Sequence, residues 1–372
     1  MIFKLPYVVQ TNVIQQMELY EQYFLGLCSK RAELFIHRMP RRYNATVINL
    51  YSSCIQVQKP GVRGEDVMMW TLNDNCGENE EVFNASGDNG IELKYKEVKI
   101  VCRISYHPIN HIPIFWCDDN HKKIISLAIH YSFCDVLKIS PILQIKCRMN
   151  RLSDFPDVKE IDNIFECGPA GDREEYAMFF ERVDIKNSAK LYAFPSPYFK
   201  PESKLLSIDH INIINSRWLT RDHLLNFNGR SARFLMAEHI RSDDVIEFIR
   251  RWQQGSYGKL EVIWISLSYM KTFSRNTILE NFDLKPWDPS KRAARFPYPD
   301  GSIVAEENDI LDLTNEMDIQ RASDGRLATV VISNTEFRFF VWNEPFPTAT
   351  AAKSRTDAWD GREWLIQRKI YF

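Results

Sequence analysis

An apolar, strand-like segment recurs about every 27 residues in the second half of this chain, near Leu206, Arg233 and Leu260, with helix-like sequence between the copies. The copies read LLSIDHINII from Leu205, SARFLM from Ser231 and KLEVIWISL from Lys259. A period in this range marks stacked supersecondary units, none of which can bury its apolar face alone. The spacing predicts three parallel strands lying side by side, with the connecting helices on one side and right-handed crossovers between them. Such a stack offers an extended recognition surface rather than an enclosed catalytic pocket.

The intervening helices carry their own start and stop signals. Thr220 reads as an N-cap, Leu219 and Leu224 are placed for a hydrophobic staple, and Gly229 is expected to end the helix in the left-handed conformation. For the second helix, Ser242 reads as the cap, Asp243 and Asp244 occupy the first turn where the dipole favours negative charge, and Gly255 closes it. Val245, Phe248, Ile249 and Trp252 share one face at helical spacing, and Glu247 and Arg251 form an i,i+4 pair elsewhere. The helices are therefore expected over 221–227 and 243–253, each with a buried face and a wet one.

Composition narrows the class of protein. The 372 residues are 45% hydrophobic and 26% charged, enough to bury a large core in two or three domains. A net charge of -2, with no basic stripe, gives no reason to expect nucleic acid or an anionic membrane as partner. No window approaches the ~20 apolar residues that span a bilayer. The first residues, MIFKLPYVVQ, interrupt their apolar run with Lys4, Pro6 and Gln10 and do not form a signal peptide. The eight cysteines, at positions 28, 54, 76, 102, 117, 134, 147 and 167, include no C-x-x-C pair, so free thiols in a reducing compartment, cytoplasmic or nuclear, are expected.

Along the chain the pattern changes several times. Val9, Val13, Ile14 and Met17 form one helical stripe, and Tyr23, Phe24 and Leu27 a second. Ser29 can cap a third short helix through Leu34, Phe35 and Ile36. Three such helices cannot bury a core alone and should dock on a neighbouring body. From about 46 to 148 the sequence is strand-like, in segments such as VINLYSSCIQV, DVMMWTL and IELKYKEVKIVCRISY, interrupted between Asn73 and Gly90 by a long polar loop. A mixed stretch follows to Lys204. After the repeats, KPWDPSKRAARFPYPDGS reads as a proline-rich surface loop. Then MDIQR, RLATVVI and EFRFFVW, separated by turns at Ser323-Asp324-Gly325 and Ser333-Asn334, read as a three-stranded meander whose last strand is apolar on both faces and expected to be covered on both.

Local chemical motifs are sparse. His107, His111, Cys117 and His121 are metal-compatible residues, but their spacing matches no finger and a strand would send them to alternate faces. Asp118-Asp119 reads as a turn, as do Gly61-Val62-Arg63-Gly64 and Gly87-Asp88-Asn89-Gly90, which lack the flanking helices of a KH loop. There is no phosphate loop, dinucleotide fingerprint, nucleophile elbow or H-E-x-x-H helix. No catalytic residue, cofactor or metal is assigned.

The segment LPYVVQTNVIQQMELYEQYFLGLCSKRAELFI from Leu5, with its Leu5-Pro6 opening and the LCSKR run at Leu27 to Arg31, resembles a divergent nematode F-box. WLTRDHLL from Trp218, DVIEFIRRWQQG from Asp244, KLE from Lys259 and DIQRASDGRLATV from Asp318 are similar to the F-box-associated type 2 domain found in the same proteins. The resemblance implies a divergent F-box over 1–42, a β-rich region over 43–150, an irregular connector over 151–204, a repeat-like F-box-associated domain over 205–342 and a tail over 343–372. The expected fold class is mixed α/β and α+β: a short helical F-box-like unit, a β-rich middle and a leucine-rich-repeat-like strand-helix stack ending in a β-meander. The resemblance further implies a substrate-recognition adaptor that docks on a Skp-type protein in a cullin ubiquitin ligase through Leu5, Pro6, Val9 and Val13, while the second half holds an unknown protein substrate. A stand-alone interaction protein that no longer recruits the ligase, and an enzyme whose site no local motif reveals, remain open beside it.

Overall fold

The computed structural model of the chain describes residues 2–39, 45–59, 62–72, 90–109, 111–166, 172–192, 198–296 and 311–346. The polar loop at 73–89, the turns at Gly61 and Gly87, Cys76, Cys167, Gly168, Gly171 and the tail beyond residue 346 lie outside the described residues. The chain divides into two compact units, Met1–Cys147 with Arg151–Val158, and Arg148–Asn150 with Lys159–Phe372.

The first unit runs α1 (Tyr7–Gln16), α2 (Leu19–Cys28), α3 (Lys30–Ile36), β1 (Ala45–Asn49), β2 (Cys54–Lys59), β3 (Val62–Leu72), β4 (Gly90–Tyr95), β5 (Val98–Tyr106), β6 (Pro113–Cys117), α4 (Ile125–Leu137) and β7 (Gln144–Cys147). Its strands lie in the order β7-β1-β2-β3-β6-β5-β4, parallel at β7/β1 and β3/β6 and antiparallel elsewhere. Helix α4 packs on β1, β2 and β4, and α2 and α3 pack on α4. The expected docking of the three amino-terminal helices is therefore met within their own unit. Tyr23 is its centre, with its hydroxyl 2.8 Å from Ser132 Oγ and its ring 5.5 Å from Phe133. Gly26 of α2 is where α4 comes closest: a Cβ there would collide with Val136. The helix thus trades about 1 kcal/mol of propensity relative to Ala for a close crossing. Ser29 caps α3 as anticipated, its hydroxyl accepting from the Ala32 amide at 3.2 Å.

The second unit runs β8 (Glu160–Glu166), α5 (Arg173–Arg182), β9 (Asp184–Leu191), β10 (His210–Ile213), α6 (Arg221–Asn226), β11 (Ser231–Ala237), α7 (Ser242–Gln253), β12 (Val262–Leu267), α8 (Arg275–Leu279), β13 (Lys285–Pro286), β14 (Arg295–Phe296), β15 (Leu311–Asp312), β16 (Met317–Gln320), β17 (Leu327–Ile332) and β18 (Glu336–Trp342). Strands β8 to β12 are parallel and adjacent in sequence order. Strand β18 joins β12 antiparallel, followed by β17, β16 and β13. The three predicted parallel neighbours and the meander are present, and α6 packs on α7 along one side of the sheet. On that side Trp252 and Phe248 meet Phe339 at 5.1 and 5.9 Å. On the other, Val262, Trp264, Phe340 and Trp342 form a cluster with Phe296 and Leu313. Strand β18 is accordingly buried on both faces.

Several expectations need correction. The segment 151–204, expected as an irregular connector, holds the strand-helix-strand unit β8-α5-β9, so the parallel stack has five strands. Its strands were disguised because they carry polar residues that bond each other inside the sheet: Ser188 Oγ and Asn187 Nδ2 both donate to Asn163 Oδ1, at 2.6 and 2.8 Å. The repeat is also uneven. Cross-strand partners Asn163, Ser188, His210, Ser231 and Val262 are 25, 22, 21 and 31 residues apart. The 21- and 31-residue steps differ as their helices do, 6 residues in α6 and 12 in α7.

Leu205 and Leu206 lie in a 3-10 turn, and β10 begins at His210. Gly229 is not left-handed; a Cβ there would collide with the Ile208 carbonyl and the Phe227 ring. Ser242 begins α7 but does not cap it: Asp244 accepts the Arg241 amide at 2.8 Å, and Ser242 Oγ accepts from the Ser274 amide at 2.9 Å. Gly255 does close α7, at φ 100°.

The proline-rich stretch after the repeats is not all surface. Arg292 is fully buried, with Nε 2.8 Å from Asp318 Oδ2, Nη2 2.9 Å from the Leu313 carbonyl and its guanidinium 4.9 Å over Trp342. Asp318 also accepts from the Thr329 hydroxyl at 2.6 Å. A buried charge survives only when it is paired and bonded in this way.

Candidate adaptor stripe and recognition rim

Of the four residues singled out for adaptor binding, Leu5 and Pro6 lie just before α1 and Val9 and Val13 lie on it. Pro6 precedes the helix with φ -57° and ψ 148°, the extended conformation in which a proline feeds a first turn. Val9 and Val13 follow one another at i and i+4 on α1, Leu5 lies just before the helix, and each of the three is about two-fifths exposed. Tyr7 and Val8, 58% and 67% exposed, widen the patch. The opposite side is fastened: Ile14 is fully buried beside Phe35 and Ile36, and Gln10 Nε2 donates to the Leu5 carbonyl at 2.5 Å. The helix buries one edge of its apolar surface and leaves the other in water.

The second unit gathers a different site at the carboxyl ends of β10, β11 and β12, where the loops lead into α6, α7 and α8. Parallel sheets bind ligands at this end because every strand-to-helix loop converges there. An open groove of ≈ 680 Å³ is lined by Thr220 and Arg221 from the first loop, Glu238 to Asp244 from the second, and Lys271 and Thr272 from the third. Arg217 holds Glu238 at 3.0 Å. Beside the groove, a turn from Ser268 to Lys271 closes with the Lys271 amide donating to the Ser268 carbonyl at 3.2 Å. Its central residues, Tyr269 and Met270, are 99% and 98% exposed. Met270 has φ 67° and Met236, in the bulge of β11, φ 62°. Side chains with a Cβ pay about 1–2 kcal/mol for that conformation, and such strain gathers at functional surfaces. These residues escaped the sequence reading because a two-residue apolar run between a strand and a helix carries no period; the missing Gly or Asn in the turn was the available signal.

The most catalysis-like cluster among the described residues is in the first unit. Thr46 Oγ1 lies 2.9 Å from His130 Nδ1, and Cys134 Sγ lies 4.0 Å from the same nitrogen. Burial raises the Cys134 thiol to about 11 and lowers His130 to about 4. Both shifts favour the neutral pair, the reverse of an activated thiolate and imidazolium. Of the metal-compatible residues considered above, Cys117 is buried, donating to the Thr71 carbonyl at 3.5 Å, with burial raising its thiol to about 11. No cluster of metal-binding side chains and no helix long and apolar enough to cross a membrane occurs among the described residues. Asp118 caps a 3-10 turn, its carboxylate accepting from the Asn120 amide at 2.8 Å. The six cysteines among the described residues are free thiols.

The central part of this parallel sheet has relatives. Residues 204–265, from the turn before β10 into β12, match the family described as F-box associated. The chain carries an F-box-associated domain. It is similar to two uncharacterized Caenorhabditis elegans proteins, 23% identical over 361 residues (93% of this chain, 78% of the relative) and 21% identical over 368 residues (93% and 80%). A shorter similarity, 27% identity over 82 residues, links 22% of the chain to 6% of the C. elegans E3 ubiquitin-protein ligase hecw-1. No solved structure matches.

Proposed function

We propose that the protein is a substrate-recognition adaptor of a Skp-cullin-F-box ubiquitin ligase. In this reading α1 docks on a Skp-type protein through Leu5, Pro6, Val9 and Val13, and the second unit holds a protein substrate. The observation that carries it is the exposure of Val9 and Val13 on the first helix and of Leu5 just before it, in a chain that also bears an F-box-associated domain. A water-exposed row of three aliphatic side chains is a binding surface in waiting, and a few such anchors dominate small interfaces. The local similarity to an E3 ligase is in keeping with this assignment.

Direct binding between the full chain and a purified Skp-type protein in the micromolar range tests the proposal. Binding that is lost when Leu5 and Pro6 are replaced by Ala, with unchanged thermal unfolding, supports it. No capture by the wild-type chain overturns it. The second reading, a stand-alone interaction protein, is favoured by the close packing of α2 on α4 at Gly26, which uses the helices as part of their own unit.

A further inference from the structure

We propose that the groove at the ends of β10 to β12 and the turn beside it form one docking site for an extended protein segment carrying an apolar side chain next to carboxylates. The inference rests on reading the second unit as the substrate-holding one, and adds where it binds and what it selects.

The apolar half comes from the turn. Tyr269 and Met270 present nearly their whole side chains to water, and Met270 does so from a backbone conformation that favours glycine at that turn position. A turn that only had to connect β12 to α8 would be better served by glycine there. Two large apolar side chains held outward at the rim of a groove are anchors for a partner.

The charged half comes from the groove. Arg221, Arg241 and Lys271 line it and have no ion-pair partner among the described residues. Of its carboxylates, Glu238 is paired with Arg217, while Asp243 and Asp244, the latter accepting the Arg241 amide, keep their charge. Arg221, Arg241 and Lys271 thus face Asp243 and Asp244, and the groove keeps one net positive charge. Lys271 directly follows Met270, so a ligand side chain packed on the turn has its neighbours within reach of the cations. A segment of one aromatic or aliphatic residue flanked by Asp or Glu satisfies both halves. A neutral apolar segment would leave the net positive charge unmatched, and a purely acidic one would leave the turn exposed.

The test is selection of a random peptide library on the full chain, followed by binding of an enriched peptide, made as a labelled probe, at low and physiological salt. Enriched sequences should place Asp or Glu beside an aromatic or aliphatic residue, and affinity should fall as salt rises. Replacing Arg241 and Lys271 by Glu should weaken the probe at least about tenfold, a change of ~1.4 kcal/mol. Tyr269→Ala with Met270→Gly should do the same without lowering the unfolding temperature. Enriched peptides lacking carboxylates, no enrichment at all, or a probe indifferent to both double variants would overturn the site. Binding that requires a second copy of the chain, seen as a peptide-dependent dimer, would also overturn it. A probe that binds the second unit but ignores these variants leaves the substrate-holding reading standing without this site. Capture of a Skp-type protein, measured separately, reports on the ligase reading alone.

Discussion

Helices α1 and α7 begin from the same kind of sequence and end in opposite situations. Each carries apolar residues at helical spacing, yet in α7 Val245, Phe248, Ile249 and Trp252 are all fully buried, whereas in α1 Leu5, Val9 and Val13 flank a helix that seals only Gln10 and Ile14. The difference lies in what surrounds them. Helix α7 packs Phe248 and Trp252 on β18 and has α6 and α8 as neighbours, so its whole apolar face has somewhere to go. Among the described residues, helix α1 buries Ile14 against Phe35 and Ile36 of α3, with Leu25 and Leu137 packed beside them, and leaves Val9 and Val13 exposed. Periodicity reveals that a helix has an apolar face; burial depends on neighbours contributed from elsewhere in the chain.

The sharpest way to break this comparison is to remove the largest buried side chain of α7. Trp252→Ala should cost about 3–5 kcal/mol, since the ring packs edge-on against Phe339 and under the Arg321 guanidinium. Chemical denaturation that finds the variant within about 0.5 kcal/mol of the parent would show that α7 does not carry the core. Asp318→Asn should be of similar or slightly smaller size, about 3 kcal/mol, because it strands the buried Arg292 charge. Equilibrium unfolding of Asp318→Asn beside a double variant with Arg292→Met tests the mechanism: the double variant should recover part of the loss.

Acidification should act on both units. Burial lowers His130 in the first unit and His210 in the second to about 4, below their ordinary value. As pH falls from about 6.5 towards 4, the unfolded chain binds protons that the native histidines refuse, so stability declines through that window. Unfolding monitored across this range should show His210→Gln flattening the slope; a slope identical to the parent would remove His210 as a cause. The smallest effect is expected at α1. Val9→Ala with Val13→Ala should change stability by no more than about 0.5 kcal/mol while weakening any Skp-type partner, and a large loss of stability would mean the stripe is structural.

The α7 face, the Thr220 cap, the Gly255 stop and the meander were readable because their signals are local. The strands β8 and β9 were not, since their polar residues look like loop until Asn163 and Ser188 are seen to bond across the sheet. Arg292 was misread for a related reason: a charge in a proline-rich run looks exposed, and its partner lies 26 residues away. The adaptor stripe could be proposed from the resemblance to an F-box, but its exposure depends on the absence of a covering element. The rim was not readable, because turn backbone and distant loops place Tyr269 and Met270 beside the groove.

Strand β18 also sets how proteins built like this one can vary. Running against β12 and apolar on both faces, it ends the parallel stack, so a duplicated strand-helix unit cannot be appended beyond β12 without expelling it. Growth must occur by insertion between existing units. Each insertion would spread the loops at the carboxyl ends by one inter-strand spacing, about 4.8 Å, while leaving the closing strands untouched. The width of the groove would then change in whole steps rather than continuously, and chains with different numbers of units would accommodate ligand segments of discretely different length.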